Sequence, residues 1–171
     1  MKTIKIILGI ITALVLVFFA TGLLVKETNY KAQVSVNEPL ADVFTTFNNT
    51  ENVKNWIPEI KTVETLNENV GKTGSSYKIV LDNQGQEITM TEKVVAYVPN
   101  EKVTLFFDAE NMLKKDDYVF TENNGVTTIT LNSSCRSDSY IMACMFPYFK
   151  STFQNQDQGY LNNFKTYIEN K

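Results

Sequence analysis

The 171-residue chain contains no histidine. That excludes the Ser-His-Asp triad, the Cys-His pair, His-ligated zinc and any imidazole proton shuttle. Arginine is nearly absent: Arg136 stands alone, so a set of bidentate phosphate clamps cannot be assembled. Two cysteines without histidine, Cys135 and Cys144, do not make a metal site. Positive charge is also short in most of the chain. Lys2, Lys5 and Lys26 are three of the 16 basic residues, and all 19 acidic residues lie beyond them, so residues 27–171 carry a net charge of about −6. Nucleic acid requires a basic surface, and anionic lipid headgroups a polybasic patch. Nothing in the pattern asks for a bound cofactor or sets an oligomeric state.

What the chain has in excess is one apolar run. Ile6 to Val25 (IILGIITALVLVFFATGLLV) passes without a charge. At 1.5 Å per residue, about 20 residues cross a hydrocarbon core of about 30 Å. Lys2 and Lys5 precede the run, and positive charge favours the cytoplasmic side. The expected topology is N-terminus in, with the remainder on the extracytoplasmic side. Ala20-Thr21-Gly22 also reads as a signal-peptide cleavage site. The apolar run, however, exceeds the usual 7–15 residues of such a signal and continues through Leu23-Leu24-Val25, which favours an uncleaved anchor. The expected division is an anchor or signal over 1–27 and one domain over 28–171. Only Lys26 to Asn29 separates the two, so the domain is expected close against the bilayer.

Tyr30 to Val36 (YKAQVSV) alternates as a half-buried strand does. Asn37-Glu38-Pro39 then opens a short helix carrying Leu40, Val43, Phe44 and Phe47 at helical spacing. A second short helix is expected over Glu51–Trp56, stopped by Pro58. Successive antiparallel strands follow: 61–66, 77–82, 87–98, 102–109, 117–121 and 126–133. Turns are expected at Gly71–Gly74, Asn83-Gln84-Gly85, Pro99-Asn100 and Asn123-Asn124-Gly125. From Ile141 to Ile168 the apolar residues recur at helical spacing, which predicts a long amphipathic helix that kinks or begins near Pro147. Gly159 weakens its middle by about 1 kcal/mol relative to Ala. A twisted meander with one long helix buries the helix stripe on the concave face of the sheet.

Four segments, VSVNEPLADVFTTF, NVKNWIPEI, EKVVAYVPNEKVTL and LNNFKTYIE, occur in an order and at spacings that resemble the START-like polyketide cyclase/lipid-transport superfamily (SRPBCC). The resemblance runs from about Asn29 to Glu169. It implies an α+β helix-grip fold of about seven strands wrapped on a C-terminal helix, with a hydrophobic cavity between them. Members bind lipids, sterols, polyketides or other apolar molecules, and some are cyclases or hydratases. The family carries no universal catalytic residues, and its fold does not fix a function.

On that resemblance, Tyr77, Ile79, Leu81, Met90, Glu92, Val94, Leu105 and Phe107 are candidates for the inner sheet face. Phe149, Phe153, Tyr160 and Phe164 would face them from the helix. The ordinary alternative is a filled core. Trp56 is either a gate at the cavity mouth or a plug beneath the short helices. Glu92 points inward if Met90 and Val94 do. The opposite register turns Thr91, Lys93 and Val95 inward and leaves Glu92 in solvent, the commoner outcome for a carboxylate. Lys114-Lys115-Asp116-Asp117 reads as a solvated loop or strand edge, its neighbours pointing to opposite faces. Cys135 and Cys144 form a disulfide or pack as free thiols. The expected function is noncovalent binding of a lipid or other apolar molecule by a membrane-anchored domain. The alternatives are an enzyme of cyclase or hydratase type using Glu92, and an interaction module with a filled core.

Overall fold

The computed structural model describes residues 2–83 and 85–171. Its first element is helix α1 (Lys2–Leu24), the one helix among the described residues long and apolar enough to cross a membrane. It is followed by β1 (Thr28–Val36), α2 (Leu40–Phe47) and a single 3-10 turn (Val53–Asn55). The strands β2 (Ile60–Asn67), β3 (Ser76–Asn83), β4 (Gln86–Val98), β5 (Lys102–Ala109), β6 (Met112–Asn123) and β7 (Val126–Arg136) come next. The chain closes with α3 (Tyr140–Met145), a 3-10 turn (Phe146–Phe149) and α4 (Lys150–Glu169).

All seven strands form one antiparallel sheet in the order β1-β7-β6-β5-β4-β3-β2. This is the expected α+β helix-grip architecture. Each neighbouring pair from β2 to β7 is consecutive in the chain, and β1 closes the far edge by pairing with β7, Thr28 opposite Cys135 and Val36 opposite Thr127. The β6–β7 hairpin turns through Asn124 (φ 52°) and Gly125 (φ 77°). Two successive left-handed residues match the right-handed twist of the flanking strands, which is why Asn-Gly sits there. In the β3–β4 turn, Gln84 lies outside the described residues.

The core is concentrated at one end. Val34 and Val36 of β1, Val43, Phe44 and Phe47 of α2, Tyr118 and Phe120 of β6, Ile129 and Leu131 of β7 and Leu161, Phe164 and Ile168 of α4 pack into one cluster with Trp56. Asn37 does not cap α2 as its position suggests. Pro39 stands at the cap, and the Asn37 amide and side chain both donate to Glu169 Oε1, at 2.8 and 3.0 Å, tying β1 to the end of α4. The second short helix shrinks to one 3-10 turn, whose Trp56 ring stacks on Phe47 at 5.0 Å and meets Phe164 edge-on at 5.5 Å.

The other end of the grip is held differently. The long helix expected from Ile141 is broken at Pro147 into α3, a 3-10 turn and α4, because proline cannot supply the N–H an uninterrupted helix needs. The freed α3 packs on α1. Tyr140 Oη donates to the Phe19 carbonyl (2.6 Å), Tyr148 Oη bonds Thr21 Oγ1 (2.9 Å), and Cys144 sits against Gly22. The cysteines are therefore free thiols in different places, Cys135 on the sheet beside Tyr30 and Cys144 against α1.

Candidate functional site

A cavity of about 780 Å³ lies between the sheet and the α3–α4 segment. Core residues cluster at the α2 end, and most of the cavity wall comes from β2 to β5 and from the helical segments opposite. The 13-residue β4 carries a register shift between Val94 and Ala96, and a bulge bends and twists the strand that carries it. Gln86, Glu110, Asn111 and Phe149 line the cavity and are exposed, as are Asn49 and Thr50 beyond α2.

The period of two along each strand sorts the side chains. Tyr77, Ile79, Leu81, Met90, Glu92, Val94, Leu105 and Phe107 all line the space, as do Phe149, Phe153 and Tyr160 from the helical side. Phe164 does not line it; it is fully buried in the core cluster. Trp56 does both, closing the core at 4 % exposure while its ring forms part of the cavity wall.

Two neighbouring rows across the sheet account for the polar end. In the first, Tyr77, Glu92, Phe107, Lys114 and Cys135 are successive ladder partners from β3 to β7. In the second, Val94, Leu105, Asp116, Ser133 and Tyr30 run from β4 to β1. Glu92 therefore points inward, and the register that would have left it in solvent is not the one formed. Lys114 and Asp116 likewise point inward, Asp116 buried and the Lys114 side chain nearly so at 15 % exposure, so half of the Lys114–Asp117 stretch is not the solvated edge expected. Lys115 and Asp117 do point to the opposite face. The missed signal was the alternation Met112, Lys114, Asp116, Tyr118, Phe120, in which two charges occupy core positions of a strand.

α4 adds the third charge. Asp157 falls on the same stripe as Phe153, Leu161, Phe164 and Ile168, and it is 6 % exposed. An acid on an apolar stripe was the sequence signal for it. Lys114 Nζ lies 2.8 Å from Asp116 Oδ2 and 2.9 Å from both oxygens of Asp157. Tyr30 Oη donates to Asp157 Oδ2 at 2.7 Å, and Tyr118 Oη approaches Asp116 Oδ2 at 3.5 Å. The Lys114 ammonium also stands 5.9 Å from the centre of the Phe107 ring, within reach of its negative face.

The electrostatics follow from this crowding. Burial pushes Glu92 up to about 7, and the nearby Asp116 carboxylate adds to the rise. Burial also raises Asp116, with Lys114 opposing and Asp157 reinforcing the rise. Burial alone would lower Lys114, but Asp116 and Asp157 outweigh it and hold it well above the usual lysine range. Burial lifts the Cys135 thiol to about 11, so it is no thiolate nucleophile at neutral pH. The arrangement offers an apolar chamber with one fixed cation, two carboxylates bound to it, and one further carboxyl that titrates near neutrality.

No protein-family model matches the sequence, and no curated protein matches it. Solved structures do. The Zhui aromatase/cyclase from Streptomyces sp. R1128 superposes with a TM-score of 0.72 at 14% identity, over 84% of this chain and 94% of that one. Ara h 8.0201 matches with a TM-score of 0.67 at 14% identity, over 85% and 99%. The di-domain ARO/CYC StfQ from the steffimycin biosynthetic pathway gives 0.69 at 12% identity, over 84% of this chain and 51% of its own. The likeness is one of fold. At these identities it does not carry a ligand or a reaction across.

Proposed function

We propose that the protein is a membrane-anchored binder of a lipid or other apolar small molecule, held noncovalently between the sheet and α4. The observation that supports this best is the cavity itself: about 780 Å³ of space bounded by Ile79, Met90, Leu105, Phe107 and Phe153, where close packing would otherwise leave no void larger than a water. Its size falls in the range of small-molecule sites.

In this reading α1 spans the membrane with the N-terminus inside, and the domain rests on the outer surface. α3 joins the two. Met142 and Met145 line the cavity, while Tyr140, Ile141, Tyr148 and Phe149 are exposed beside α1. Tyrosines at that level suit a membrane–water interface, and an exposed apolar patch of this kind suits contact with lipid. A ligand leaving the bilayer along α1 would meet α3 first.

The test uses the full chain in lipid vesicles doped with a diazirine-bearing long-chain alcohol. After irradiation, peptide mapping should place label on β4 and β5, around Met90 and Phe107, and Leu105→Trp should reduce it. Label confined to α1 would reject internal binding.

The inward Glu92 supports a second reading, an enzyme using that carboxyl as general acid or base, because a group titrating near 7 exchanges protons most effectively at neutral pH. Recovery of a chemically altered molecule after incubation would favour it over simple binding.

A further inference from the structure

The polar end of the cavity holds more negative charge than its cation balances. Lys114 is fully engaged by Asp116 and Asp157. Around them stand Tyr77 from β3, Glu92 from β4, Tyr118 from β6, Ser133 and Cys135 from β7, Tyr30 from β1, and Tyr160 from α4, none of them a cation. The remaining ionisable groups on the wall are Tyr97, Glu59, Asp82, Glu110 and Lys72, the last already paired with Glu68. Lys114 can balance only one of Asp116 and Asp157 when both are ionised, and ionised Glu92 would add a further negative charge.

Asp116 shows what is missing. It is 1 % exposed and lines the cavity, yet among the described residues its Oδ1 has no donor at hydrogen-bond distance, the buried Ser133 hydroxyl on β7 beside it being equally unpartnered and its one weak neutral neighbour. A buried carboxylate oxygen without a partner is costly, and so is net charge in an apolar chamber. A ligand bringing one positive charge on N–H donors corrects both defects. An anionic headgroup corrects neither, because Lys114 has no free valence for it and the carboxylates repel it.

We propose that the cavity selects amphiphiles bearing a protonated primary or secondary amine, seated with the ammonium between Asp116 and Glu92 and the hydrocarbon along Ile79, Met90 and Leu105. This rests on the binding reading above and adds the headgroup to it. Glu92 titrates near 7 when the site is empty, whereas an alkylamine stays charged to a pH of about 10. Seating the ammonium favours ionised Glu92, so binding releases protons below neutrality and the affinity rises from pH 6 to pH 8.

The experiment is a native mass-spectrometric titration of the full chain, released from non-ionic micelles, with dodecylamine, dodecan-1-ol and dodecanoate as probes. At pH 8 dodecylamine should bind about tenfold more tightly than the alcohol, as a charge-assisted hydrogen bond allows, with dodecanoate weakest. The amine advantage should shrink at pH 6. Glu92→Gln and Asp116→Asn, each checked for a retained melting transition, should bring the amine down toward the alcohol. Equal binding of all three, a preference for dodecanoate, or an amine advantage indifferent to pH and to Glu92→Gln overturns the headgroup assignment and leaves the apolar cavity standing. Binding of none of the three overturns the cavity reading and this inference with it.

Discussion

Lys114 is the residue on which the polar end of the cavity depends. It holds Asp116 and Asp157 together across the gap between sheet and helix. Removing one partner of a buried ion cluster leaves the others uncompensated, so Lys114→Met should cost about 3–5 kcal/mol in chemical denaturation. A loss under about 1 kcal/mol would mean that the carboxylates are already neutral. Glu92 gives a signature of a different sign. Its pKa rises from 4.5 in the unfolded chain to about 7 in the fold, so the folded protein holds this proton more tightly. Its contribution to stability is full below pH 4.5, falls as pH rises to about 7, and is level above that. Glu92→Gln should therefore match the wild type at pH 4.5 and exceed it by about 2–3 kcal/mol at pH 8. Parallel stability profiles for the two proteins would place Glu92 in a solvated environment. Wall residues such as Ile79, Met90 and Phe107 could be read from the sequence because alternation and hydrophobicity agree there. Lys114, Asp116 and Asp157 could not, because charge and position disagree: each sits in a core register that only the ion pairs through Lys114 make tolerable.

Among the elements, α4 was legible from its stripe, and its start was legible from Pro147. Gly159 is a weak point that the packing does not require. No atom lies within 4 Å of a Cβ built there, and the residue is in the helix interior. Gly159→Ala should raise stability by about 0.5–1 kcal/mol, read as a higher unfolding midpoint. Unchanged or lower stability would mean that the helix needs this glycine. Gly22 in α1 is the opposite case. A Cβ there would run into Cys144 Sγ and come within 3.2 Å of the Tyr140 ring. Gly22→Leu should lift α3 from α1 and speed amide hydrogen exchange over Tyr140–Met145 while β4 to β7 stay protected. Unaltered exchange in α3 would show that α1 does not hold it. The α1–α3 contact was not legible, because α3 carries no strong periodic signal of its own in six residues and its partner reads as a membrane span complete in itself. The second short helix was over-read for a related reason: the apolar spacing around Trp56 serves the stacking on Phe47 and Phe164, not a continuous helix.

At the scale of the molecule, the sheet order and the long helix followed from alternation, turn residues and one long stripe, and the fold matches solved helix-grip proteins over more than four-fifths of the chain. Whether sheet and helix enclose a packed core or a chamber was beyond the sequence, because the same alternating residues serve both. What separates them is curvature and where the large side chains lie: Phe44, Phe47, Trp56, Phe120 and Phe164 gather at the α2 end and leave the β2–β5 half unfilled. The most direct measurement is native mass spectrometry of the full chain, released in mild non-ionic detergent from the cells that make it, before and after organic extraction. The expected result is a discrete added mass that disappears on extraction and is lost in Leu105→Trp. A bare protein mass under conditions that retain other noncovalent ligands, or an added mass that Leu105→Trp leaves in place, would contradict binding in the cavity.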